Sequence, residues 1–200
     1  MLTSEEILDA VKSHVSKFLK VNLSPELTFH NADHTFEVVR AAREISLEYD
    51  LSDEQRNNIE IAAWFHDCGY SQLYTDHETL SKSLARDFLQ EHNYPENAIS
   101  QVLDCIEATR YPQNPQSIAS KIICDADLYH FTRPDYHRYE NALRLELETY
   151  FENQYSDIEW ARTNCLMLEN HEYFTDYGKE TLQKFKDVNM ERVRSKALEC

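Results

Sequence analysis

The chain has 200 residues, of which 42% are hydrophobic and 28% charged, and its formal net charge is -16. The apolar fraction excludes a disordered chain, and the negative charge excludes a protein that binds nucleic-acid polymers broadly through their phosphates. The length predicts a single domain over residues 1–200.

Turn-forming residues are scarce, because the chain contains only two glycines and five prolines. Folds rich in β-structure use glycine and proline at their many tight turns, and no stretch alternates convincingly between polar and apolar residues. The sequence therefore predicts an all-α fold, a compact single-domain helical bundle.

Helical spacing of apolar residues predicts five helices in the first half of the chain. The first is expected to start near Thr3-Ser4 and to be broken at Ser24-Pro25. The expected bounds of the other four are about His30 to Tyr49, Ser52 to about Asp67, His77 to His92, and Pro95 to about Thr109. His34 falls on the inward face of the second helix. The end of the third, IAAWFHD, is apolar on nearly every side, which predicts a central buried helix ended by Gly69.

The second half is predicted to begin with a rigid loop at residues 111–115, where two prolines occur. A sixth helix, SIASKIICDADLYHF, should end near Pro134. Three amphipathic helices should then cover 135–153, 156–170 and 176–197, with acidic runs such as LRLELETYFE as solvated faces. Their spare amphipathic surface allows a homo-oligomer.

Five cysteines without short pair spacing predict reduced thiols instead of disulfides or a zinc ribbon. They are Cys68, Cys105, Cys124, Cys165 and Cys200. The N-terminal segment is acidic and amphipathic, unlike a signal peptide, and no run of 18 apolar residues occurs. We therefore expect a cytoplasmic protein without a membrane partner.

Four ionisable residues lie at the ends or inward faces of apolar helices. His66 and Asp67 close the third helix, His34 faces inward from the second, and Asp127 follows the buried run of the sixth. Each alone could be a helix cap or a hydrogen-bonded core residue. Together, two imidazoles and two carboxylates predict one divalent cation, since buried ionisable groups need such a partner.

The strings HNADHTFEVV, AAWFHDCGY and DADL carry this set in the order His34, His66-Asp67, Asp127. In order and context they resemble the HD-domain superfamily of metal-dependent phosphohydrolases, over about residues 28–130. The resemblance implies an all-α fold, a divalent metal (manganese, iron, cobalt, zinc or magnesium) and hydrolysis of a small phosphorylated substrate, expected to be a nucleotide. Two alternatives stay open: a metal-binding sensor module without turnover, and a structural protein in which the four residues coincide by chance.

The resemblance also suggests an acid or base after the HD pair. Asp67, His77 and Glu78 are the catalytic candidates, although His77 and Glu78 could simply begin a helix, with Asp76 as its cap. Arg110 and Lys82 are candidates for binding the phosphate of the substrate. The chain departs from close nucleotidase members at Tyr70, and IEAT lacks the extra histidine of some two-metal members, so the number of metals stays open.

The remaining conspicuous residues have simpler interpretations. His30 is expected to be structural or to support the metal ligands, and Asp125 to be a neighbour or a cap. Solvated or helix-end roles are expected for His14, His92, His130, His137 and His171. Tyr70, Tyr74 and Tyr111 could stack on a base, although most tyrosines should be packing residues.

Overall fold

A computed structural model describes residues 3–199 of the chain. Within them lie nine α-helices and no strand, so the predicted all-α class is confirmed. The helices are α1 (Ser4–Asn22), α2 (Ala32–Ser46), α3 (Asp53–Phe65), α4 (His77–Glu91), α5 (Glu96–Ala108), α6 (Ile118–Asp127), α7 (Tyr136–Tyr150), α8 (Asp157–Asn170) and α9 (Gln183–Glu199).

The core forms around α3, which packs against α1, α2, α5 and α6. Its residues 58–65 are all buried, as the run of apolar residues predicts for a central helix. Local sequence signals set the helix starts: Thr3 with Glu6 and Ser52 with Gln55 form reciprocal capping boxes. Burial of the apolar faces then holds the six N-terminal helices together, because the hydrophobic effect scales with the apolar area removed from water.

Several helix ends differ from prediction by a few residues; α2 ends at Ser46 instead of about Tyr49, and α7 ends at Tyr150 instead of residue 153. The side chain of Asn31 accepts from two backbone N–H groups and so starts α2 at Ala32, which leaves His30 before the helix. The third helix ends at Phe65, and the sixth ends at Asp127 before a short 3-10 turn. Asp76 is not the side-chain cap of α4, because its backbone is left-handed and its carboxylate bonds Thr79 and an arginine.

We expected Gly69 to end α3. Instead, it lies buried in a 3-10 turn that follows the helix, and its backbone is not left-handed. Its lack of a side chain serves close packing. A Cβ at this position would lie 1.9 Å from the carbonyl oxygen of His77. The glycine therefore lets the start of α4 approach the end of α3.

The C-terminal helices pack on a second, smaller apolar cluster of Phe131, Tyr136, Leu168 and Val193. Asp125 connects this part to the core. Its fully buried carboxylate accepts hydrogen bonds from the backbone of Phe174 and from the backbone and hydroxyl of Thr175. A π-helical turn over Gly178–Leu182 then leads into α9.

The cysteines agree with the prediction of free thiols within the described residues. Cys68, Cys105 and Cys124 are buried and Cys165 is partly exposed, and none of the four is in a disulfide. Cys200 lies outside the described residues. No helix within residues 3–199 is long and apolar enough to cross a membrane.

His171 lies at the end of α8, as expected, and its burial there should make stability depend on pH. Burial, helped by the charge of Lys186, lowers the pKa of His171 to about 3. As the pH falls, the imidazole of His171 is protonated in the unfolded chain before it is protonated in the folded protein. The stability that the neutral imidazole contributes above pH 6.5 is therefore lost as the pH falls toward 3. At pH 5 the loss from this one group should be about 2 kcal/mol.

Urea unfolding at pH 7.5 and pH 5.0 measures this loss. His171→Gln should shrink the difference between the two pH values, whereas the same change at exposed His137 should leave it unaltered. An equal difference in wild type and His171→Gln would show that the neutral imidazole is not the cause.

Candidate metal centre

The predicted ligand residues meet where three helix ends converge. His34 lies in the first turns of α2, His66 and Asp67 follow the last residue of α3, and Asp127 is the last residue of α6. Since α3 packs against both α2 and α6, the three ends face one space. His34, His66 and Asp67 are each no more than 5% exposed.

The ligand atoms lie close enough to share one cation. One donor atom from each of His34, His66 and Asp127 lies within 4.8 Å of the others. His34 Nε2 is 3.2 Å from Asp127 Oδ1 and 3.4 Å from Asp67 Oδ2. His66 Nε2 is 3.2 Å from that same Asp67 oxygen and 3.6 Å from Asp127 Oδ1. The structure therefore brings the four predicted side chains close together.

The hydrogen bonding of His66 fits a metal ligand. Its Nδ1 lies 2.8 Å from the carbonyl oxygen of Ala63, so Nδ1 donates a hydrogen there and Nε2 is the ring nitrogen that faces the centre. Both His66 Nε2 and Asp67 Oδ2 are buried without a hydrogen-bond partner. The two atoms are 3.2 Å apart without forming a hydrogen bond, and such buried polar groups are costly unless a cation satisfies them. Mixed nitrogen and oxygen donors favour a transition metal over magnesium.

The two aspartates are ionised at neutral pH, as ligands must be. Burial raises the pKa of Asp67, but the charge and contact of His66 outweigh it, and the pKa lies well below its ordinary value. Burial also raises the pKa of Asp127, but the contacts with His34 and His66 outweigh this effect. The pKa of Asp127 therefore lies below its ordinary value.

The two acid or base candidates stand beside the cluster at the start of α4. His77 Nε2 is 3.4 Å from Asp67 Oδ1 and 3.6 Å from Glu78 Oε1. Burial lowers the pKa of His77, but the contact and charge of Asp67 outweigh this and raise it. Both residues are therefore placed where proton exchange with the site is possible, and Gly69 permits that approach.

Arg110 and Lys82 are engaged with carboxylates. The guanidinium of Arg110 contacts Asp76 at 2.6 Å, Glu107 at 2.8 Å and Glu78 at 3.1 Å. Lys82 pairs with the same Glu107 at 2.5 Å. In this arrangement Arg110 holds Glu78 in place, and a phosphate would have to compete with these ion pairs.

Two residues at the site were not predicted. Gln113, from the loop before α6, donates its amide to Asp127 Oδ2 at 3.3 Å. Glu146 belongs to the acidic run predicted to be solvated, yet it is fully buried and bonds His30 and Tyr74. The prediction for this run is wrong at residue 146. The sequence around Glu146 gives no indication that this residue is buried, because other acidic residues lie near it on α7.

The other conspicuous side chains differ in how far they are buried. Exposed His14 and His137 agree with prediction, whereas His130 is 4% exposed and its Nδ1 contacts the carbonyl of Asp127. Burial lowers the pKa of His130 to about 3. His92 is partly buried on Phe88. Tyr111 is 86% exposed.

Comparison with known proteins gives one match. A family model described as HD domain matches residues 31–132, just over half of the chain. The matched segment runs from the cap of α2 through α6 and contains the four side chains that converge. No curated protein and no solved structure matches the chain.

Proposed function

Because the chain belongs to the HD-domain family, we propose that it is a metal-dependent phosphohydrolase acting on a small phosphorylated substrate, with a nucleotide as the expected class. One observation carries the proposal: His34, His66, Asp67 and Asp127 converge from three helices, and two of their buried atoms, His66 Nε2 and Asp67 Oδ2, make no hydrogen bond within the protein. A structural protein would have no reason to bury such a set.

The four side chains would hold one divalent cation through His34 Nε2, His66 Nε2 and the two carboxylates. Such a cation supplies Lewis acidity toward a phosphate oxygen and toward water. The protein contributes the orientation of the ligands: Ala63 fixes the tautomer of His66, and Gln113 restrains one oxygen of Asp127.

Asp67, His77 and Glu78 are the residues we propose for proton transfer. His77 lies between the carboxylates of Asp67 and Glu78, so its imidazole can hold a proton next to the site and exchange it. Arg110 restrains Glu78 on the far side at 3.1 Å. Lys82 stabilises this arrangement indirectly, through the Glu107 that it shares with Arg110.

A substrate panel tests the proposal. The protein is loaded with manganese and incubated with nucleoside mono-, di- and triphosphates, cyclic nucleotides, dinucleotides and inorganic pyrophosphate. Product formation is followed by chromatography, with a chelator as control. We expect turnover of at least one class, lost on chelation. A folded, metal-loaded protein that binds nucleotides without turnover would support the sensor alternative, and one that binds neither metal nor nucleotide would refute both.

A further inference from the structure

The buried carboxylate of Glu146 lies outside the segment that matches the family model and still reaches the candidate site. It accepts hydrogen bonds from the backbone N–H groups of Phe29 at 2.8 Å and His30 at 3.0 Å. It also bonds the imidazole Nδ1 of His30 and accepts from the Tyr74 hydroxyl at 3.1 Å. Each of the two carboxylate oxygens therefore accepts two hydrogen bonds.

Burying a carboxylate on an otherwise amphipathic helix is costly, so the position calls for an explanation. Burial raises the pKa of Glu146, but the hydrogen bond and charge of His30 outweigh it, and the pKa lies below its ordinary value. The carboxylate is therefore held as an anion by two loops. One loop leads into α2 and His34, and the other, residues 70–76, joins Asp67 to His77.

A stack of three rings continues from this carboxylate toward the metal ligands. Tyr70 lies between His30 and His77, with centroid separations of 4.3 Å and 3.8 Å and interplanar angles of 21° on both sides. Glu146 fixes the outer ring of the stack through Nδ1 of His30. The inner ring carries Nε2 3.4 Å from Asp67 Oδ1.

We propose that Glu146 is a positioning residue, which holds the imidazole of His77 against Asp67 through the stacked rings of His30 and Tyr70. Its contribution to hydrolysis rests on the proposed function, whereas the positioning of the His77 ring does not. Helix α7, which follows the matched segment, thereby completes a site whose proposed metal ligands all lie in the preceding part of the chain.

The expected effect is on turnover. Glu146→Gln keeps the volume of the side chain, but in either orientation its amide nitrogen replaces an oxygen that accepts two hydrogen bonds. Because a displacement of about 1 Å from the reactive geometry can cost up to about 100-fold in rate, we expect kcat to fall between about 10-fold and 100-fold. KM and manganese affinity should change much less, since no metal ligand is altered.

Glu140→Gln is the matched control. Glu140 lies on the same helix and is also buried, but its ion-pair partner is Lys196 at 3.8 Å, in α9. We expect this variant to keep the wild-type kcat. Equal losses in the two variants, or a loss in Glu146→Gln that falls on KM alone, would overturn the proposal.

A measurement without catalysis separates this proposal from the proposed function. In NMR spectra the ring protons of His77 should be shifted upfield by the stacked Tyr70. Tyr70→Phe should keep the shift, Tyr70→Leu should lose it, and Glu146→Gln should reduce it or broaden the signals. An unchanged His77 signal in Glu146→Gln refutes the positioning role. If the wild type hydrolyses nothing in the panel, these spectra still decide whether Glu146 orients the ring.

Discussion

Replacing His66 with alanine is expected to abolish cation binding and to reduce phosphate release by about a thousandfold or more. The change removes one of two imidazoles from the centre, and loss of several kcal/mol of metal-derived stabilisation corresponds to about three powers of ten in rate. Asp67→Asn should behave in the same way while keeping the side-chain volume, because the amide presents no charge to the cation.

Thermal unfolding with and without manganese measures binding independently of activity, since a ligand that binds only the folded state raises the melting temperature. The wild type should show this rise and both variants should lack it. His137→Ala on the exposed side of α7 is the control and should retain both readouts. A manganese-dependent rise that persists in His66→Ala and Asp67→Asn would mean that the cation binds elsewhere.

Replacing Asp125 with alanine should cause the largest loss of stability, about 3–5 kcal/mol, without removing a metal ligand. Three donors would lose their acceptor: the N–H groups of Phe174 and Thr175 and the Thr175 hydroxyl. Breaking a buried hydrogen-bond network of this kind leaves each donor with its full desolvation penalty. Urea unfolding gives the free energy of unfolding, and exposed Asp104→Ala should stay within about 0.5 kcal/mol of wild type.

Asp125 and Asp127 lie two residues apart but should differ in their effect on manganese binding. Asp127→Ala should lose the manganese-dependent rise in melting temperature, whereas the folded fraction of Asp125→Ala should keep it. If Asp125→Ala is too unstable to purify, Thr175→Val removes one of the same hydrogen bonds at smaller cost. Loss of manganese binding in Thr175→Val, with stability intact, would contradict the separate roles assigned to the two aspartates.

Much of the fold, and the four side chains that converge at the candidate site, could be predicted because the controlling signals are local. Apolar residues at helical spacing identified the helices, and Ser52 with Gln55 marks a helix start within four residues. His34 could be placed inward from the apolar residues on its own helix. Helix ends were less accurate, since a cap such as Asn31 depends on competition between side-chain and backbone hydrogen bonds.

What the sequence alone determined is the helical class and the four residues that could hold a cation. Only the tertiary structure decided which other polar groups share their space. Glu146 meets His30 across 116 positions and Asp125 meets Thr175 across 50, and no periodicity links such positions. A carboxylate on an amphipathic helix is solvated or buried according to what packs against that helix. Whether the carboxylate is buried therefore depends on how segments distant in the sequence are arranged, and local propensity and residue spacing contain no information about that arrangement.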